Sequence, residues 1–198
     1  PVPPTDNPVL TSAQMRSARV VSDMSATNRV MVRANQEVVY RLANCDISDE
    51  NAPCYVVVSA SIAPITDIST YSQVQSSASA SHSNVIQCSR SIYNALNAEV
   101  ARLNQNVAVT FHTSGNNAPV TLNWGDYAGS FGGLSFRWIS ISGPTPNPGW
   151  GTYAPSQAYA NTSGAGEFGL YTPWGWVATY PFSVGLRLSI NSSGWWCS

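Results

Sequence analysis

Apolar and polar residues alternate along most of this chain with a period of two, the pattern of half-buried strands. Tyr55 to Ile62 (YVVVSASI) is the clearest stretch: an aromatic, three valines and then strict alternation. Arg29 to Leu42 reads as another strand region, with Val30, Val32, Val38, Val39, Tyr40 and Leu42 around the polar Asn35-Gln36-Glu37. Val107, Val109 and Phe111 alternate, as do Val120, Leu122 and Trp124 after the turn Ser114-Gly115-Asn116-Asn117. Leu134, Phe136 and Trp138 repeat the pattern after Gly132-Gly133. Val184, Leu186, Leu188 and Ile190 predict a last strand, ahead of Gly194-Trp195-Trp196-Cys197.

Other stretches break the alternation. Residues 1–12 are rich in proline and predict an extended N-terminal arm, leaving 13–198 as a single β-rich domain. Residues 66–85 are rich in Ser and Thr and read as a loop or a weak edge strand. Residues 143–151 (GPTPNPGWG) carry too many prolines for regular structure. In 88–104 the period changes. Ile92, Leu96, Val100 and Leu103 recur at spacings of four, four and three, which predicts one amphipathic helix capped by Ser89 or Ser91. The fold class expected is therefore mainly β, a sandwich, jelly roll or barrel, with one helix near 88–104; an α+β domain is the alternative.

Composition narrows the setting. Only 10% of residues are charged, against a usual ~25%. All nine basic residues are arginines, and the formal net charge is −1. Such a surface has no electrostatic attraction for nucleic acid, and none is expected as a partner. No run of 18 apolar residues occurs, so no membrane-spanning helix is expected. Cys45, Cys54, Cys88 and Cys197 lack zinc spacing and read as structural disulfides, with three pairings open. A bridge between Cys45 and Cys54 would clamp the polar turn between them, and Cys88 and Cys197 would then tie mid-chain to the end. Disulfides place the chain in an oxidising setting: extracellular, on a cell surface or on a virion surface.

Candidate chemistry is sparse. No phosphate-binding loop, dinucleotide fingerprint or calcium loop is present, and neither a cofactor nor a metal is expected. Glu99 and Arg102, three residues apart, would share one face of the expected helix. The stretch NAEVARL resembles the E-x-x-R helix of ribosome-inactivating N-glycosidases, and Leu122-Asn123-Trp124-Gly125 resembles their N-x-W-G segment. That local resemblance implies a secreted toxin that depurinates ribosomal RNA, with Glu99 and Arg102 catalytic and Trp124 behind the base. The other concentration is aromatic: Trp150, Tyr153, Trp174, Trp176 and Tyr180 lie beside glycines and prolines in the last third, as residues presented on loops. Flat rings among Asn, Gln and Ser suit sugar faces, and Trp and Tyr also dominate protein contacts. The leading expectation is thus a non-enzymatic extracellular or particle-surface β-protein. It would be an adhesin or lectin-like domain, or a subunit of a filament or capsid, that binds a glycan, a protein receptor or copies of itself.

Overall fold

The computed structural model describes residues 8–65, 81–131 and 136–198. Residues 1–7 of the expected arm (1–12), residues 66–80 of the Ser/Thr-rich stretch (66–85), the Gly132-Gly133 turn and Leu134 lie outside the described residues; residues 82–85 of that stretch belong to an inner strand, not to a loop or an edge. The fold is mainly β, built as two facing sheets. The first holds β1 (Arg19–Val21), β2 (Gln36–Leu42), β3 (Pro53–Pro64), β4 (His82–Asn94), β5 (Glu99–Phe111), β6 (Val120–Phe131) and β8 (Tyr153–Ala154), side by side in that order. The second holds β11 (Gly194–Cys197), β10 (Gly175–Asn191), β9 (Gln157–Thr172) and β7 (Phe136–Asn147). Neighbours pair antiparallel, except β1, which joins β2 in parallel. Both sheets are open, so the architecture is sandwich-like rather than a closed barrel.

The period-two pattern explains the core. Val56, Val58 and Ala60 on β3, Ile86 and Ile92 on β4, and Leu103, Val107, Val109 and Phe111 on β5 point inward. They meet Ala158, Ala160 and Phe168 on β9 and Val184, Leu186, Leu188 and Ile190 on β10. Cys88 pairs with Cys197 across the sandwich, from β4 to β11, while Cys45 and Cys54 close the loop before β3. On the outer side of the larger sheet, Leu10, Val39, Val57 and Tyr93 form a small second core. Residues 8–10 run beside β5 there, and Thr11 caps the short helix α1 (Ser12–Ser17) with a reciprocal box to Gln14.

Two further expectations are corrected. Residues 88–104 are not a helix: they belong to β4 and β5 and the tight turn between them. Asn94 accepts the Leu96 and Ala98 N–H groups through its side chain, and Asn97 adopts φ 63°, a conformation Asn tolerates. The helical spacing was an accident of joining two strands across this turn. Residues 143–147 are strand: Thr145, Pro146 and Asn147 pair with β9. The prolines fit because β7 is an edge, with a register shift between Ser142 and Thr145 and an open side that needs no N–H.

Candidate functional site

The β9–β10 hairpin runs past the core and ends in Thr172-Pro173-Trp174-Gly175. Proline in the turn lacks an N–H, and Gly175 at φ 117° takes a conformation closed to other residues. The Thr172 hydroxyl accepts the Trp174 N–H (3.3 Å) and donates to the Gly175 carbonyl (2.8 Å), closing the turn on itself. Trp174 at the apex is 95% exposed and Tyr171 is 73% exposed; Leu170 and Val177 are half exposed. The cross-strand pairs Leu170–Val177 and Tyr171–Trp176 put apolar groups on both faces of the ribbon. Phe168 to Phe182 contains no charged residue. At its base, Arg137 holds Glu167 at 2.5 Å and lies 5.2 Å from the centre of the Trp176 ring, which fits because Gly169 beneath it lacks a side chain.

A cavity of about 320 Å³ opens at the same end of the sandwich, lined by Met24, Leu42, Pro53, Tyr180 and Phe182 among others. It lies between a 3-10 turn (Met24–Arg29), the end of β2, the start of β3 and the inner face of β10. Its size falls within that of ligand clefts, roughly 300–1,000 Å³. Trp174 stands six residues along the hairpin from Tyr180, about 20 Å at strand rise, so the tip does not reach its own cavity.

The five aromatics picked from the sequence do not form one surface. Trp174 is at the apex, Trp176 is half-buried under Arg137, and Tyr180 lines the cavity. Trp150 packs over Gly125, and Tyr153 lies 5.3 Å from the His112 ring, both at the opposite end. The strand β10 that separates the two ends is 17 residues long, about 55 Å. Of the five, Trp150 and Trp174 are on turns, as loop display requires; Tyr153, Trp176 and Tyr180 are in strands, against that expectation. Leu170 and Val177, which complete the tip, were missed. A Pro-x-Gly turn between two apolar runs was the signal for them.

Glu99 and Arg102 do touch, at 2.6 Å, but on strand β5. Tyr93 pairs with Glu99 and Ile92 with Ala101, so Val100 is the extra residue of a bulge. The bulge shifts the alternation by one and brings Glu99 and Arg102 to the same face. The Tyr93 hydroxyl donates to Glu99 (3.2 Å), and Arg102 also donates to Ser91 (3.0 Å). Burial, followed by the Glu99 carboxylate, pushes the Tyr93 pKa up to about 12, so it stays protonated at neutral pH. Arg102 pairs with Ser130 on β6, and Trp124 is six residues further along, about 20 Å away. The structure therefore does not gather Glu99, Arg102 and Trp124 into one site, and the expected E-x-x-R helix is absent. Among the described residues, no three His, Cys, Asp or Glu side chains come close enough to hold a metal. No family model, curated protein or solved structure matches this chain.

Proposed function

We propose that this chain is a non-enzymatic, self-assembling β-sandwich subunit of an extracellular or particle surface. The Trp174 tip of one copy enters the cavity beside Tyr180 of the next. The observation that carries the reading is a 95%-exposed tryptophan at the apex of a hairpin whose outer part, Phe168 to Phe182, carries no charge. A side chain left in water to that extent, with Leu170, Tyr171 and Val177 around it, is an unfilled contact. The cavity at the same end offers Pro53, Tyr180 and Phe182 to an indole, over a floor of the buried Met24 and Leu42 and inside a rim that carries Asp23, Asn44 and Ser183. Because tip and cavity are different patches that do not meet within one copy, the contact is head to tail. Such contacts build rings or open filaments. The low charge suits packing of like copies, since little repulsion must be overcome. The tip side chains expose roughly 500 Å². At about 25 cal/mol per Å² that is about 12 kcal/mol before the cost of association, which leaves a contact best seen at high concentration. The two disulfides favour the extracellular setting.

Light scattering after size-exclusion chromatography tests this. The native protein at tens of micromolar is expected to run as an oligomer. Trp174→Ala removes the plug and Asn44→Trp crowds the cavity rim, so each alone is expected to run as a monomer. Mixed, they are expected to form a dimer and no more, because one usable tip and one usable cavity remain. A monomeric native protein, or a Trp174→Ala variant that assembles as well as the native one, overturns the reading.

A further inference from the structure

A second concavity, of about 220 Å³, lies on the outer face of the smaller sheet, away from tip and cavity. Tyr159, Ser189 and Trp196 stand in one row across β9, β10 and β11. Strand spacing sets Tyr159 and Trp196 about 10 Å apart, with the small Ser189 as the floor between them. Cys197, next to Trp196, is tied through the core to Cys88, and the Asn147 side chain donates to the Tyr159 hydroxyl at 2.7 Å. The Tyr159 ring and the backbone that carries Trp196 are thus held in place before anything binds. The next row along is Gln157 beside Asn191, an amide-bearing end. At the other end, the Arg187 guanidinium stacks on the Tyr159 ring, 4.0 Å from its centre. Among the described residues no carboxylate lies within ion-pair distance of Arg187. A stacked guanidinium keeps its edge donors free and oriented, the arrangement that takes an oxyanion through paired hydrogen bonds.

We infer that this groove binds one pyranose ring that carries a carboxylate. The sugar's C–H face lies against the Trp196 indole, its carboxylate meets Arg187, and its hydroxyls meet Gln157, Ser189 and Asn191. The volume suits a single ring, below the roughly 300 Å³ of a drug-sized cleft. A chain of net charge −1 has no general attraction for anions, so selectivity would come from this one placed cation.

The test is titration of the native protein with sialyllactose and with glucuronic acid, and with neutral lactose as the comparison, followed by indole fluorescence and saturation-transfer NMR. Saturable binding of at least one acidic sugar at millimolar concentration, with lactose much weaker, is expected. Arg187 is exposed and Trp196 half-buried on the outer face, so Arg187→Gln should leave the melting temperature unchanged and Trp196→Ala should lower it only modestly, with the fold retained. Arg187→Gln is expected to weaken acidic-sugar binding roughly ten- to hundredfold, the worth of a charge-assisted hydrogen-bonded pair. Trp196→Ala is expected to abolish saturation transfer from the sugar ring, while Trp174→Ala binds like the native protein. No saturable binding of either acid, equal binding of lactose, or an Arg187→Gln variant of native affinity would each overturn the inference.

Discussion

Replacing Cys88 and Cys197 together by alanine lowers the unfolding free energy by about 4–5 kcal/mol. The bridge closes 109 residues, and the chain-entropy cost of such a loop in the unfolded state is close to ~4.7 kcal/mol. The Cys45–Cys54 bridge spans only 9 residues, so its removal costs a little under ~3 kcal/mol. The long bridge also joins the two sheets from the inside, with both sulfurs fully enclosed. Alanine is the right substitute, because serine would bury a hydroxyl in the same apolar space. Urea denaturation under oxidising conditions measures the loss. A drop in transition midpoint and a rise in slope are expected, since the freed unfolded chain exposes more surface. A loss no larger than that of the local bridge would mean that the sheets hold together without it.

The second large effect belongs to Arg90. Its side chain is 0% exposed and lies in the core between the sheets. Burial pulls its pKa down to about 10, so it remains a cation at neutral pH. Among the described residues it has no carboxylate partner. Instead it donates to the Gly185 carbonyl on β10 (2.7 Å), to the Thr27 carbonyl (2.9 Å) and to the Asn28 side-chain oxygen. One guanidinium thereby ties the 3-10 turn to both sheets. Arg90→Met keeps the bulk and removes the charge but strands three acceptors. At about 1–3 kcal/mol for each unsatisfied group, the expected loss is about 3–5 kcal/mol. Arg90→Lys keeps the charge but has no planar fork to reach all three acceptors, so it is expected to lose part of this. Arg187→Met on the exposed face serves as the comparison and is expected to change stability by less than about 0.5 kcal/mol. An Arg90→Met midpoint within error of the native one would show that water satisfies those acceptors. Because the turn also lines the cavity beside Tyr180, the same variant should weaken assembly under the proposed reading.

Several features were legible from residue order. Tyr55 to Ile62 and Val184 to Ile190 predicted strands because a half-buried strand must alternate, and both are strands here. The helix expected over 88–104 failed on the same logic. Four apolar residues matched a 3.6 period only because Ile92 and Leu96 lie on either side of Asn94, the first residue of the turn. A window that spans a turn mixes two registers, and nothing in the spacing marks the break. Nor did the order of residues show the Val100 bulge, which puts Glu99 beside Arg102 without any helix.

Residue order by itself determined the β class, the inward faces of the clearly alternating strands and the near-neutral net charge, because these depend on local alternation and summed charge. Tertiary structure alone decided the rest. Cysteine order allows three pairings, and facing strands β4 and β11 select Cys88–Cys197. Nine arginines look alike in sequence, yet Arg90 is a core clamp and Arg187 a stacked surface cation, since each one's partners come from distant strands. The C-terminal aromatics read as one group but divide between two ends, because a strand of 17 residues carries neighbours in sequence far apart in space. Tip, cavity and groove are each made by side chains that only strand pairing brings together, and pairing partners are set by the packing of the whole sandwich rather than by any local pattern.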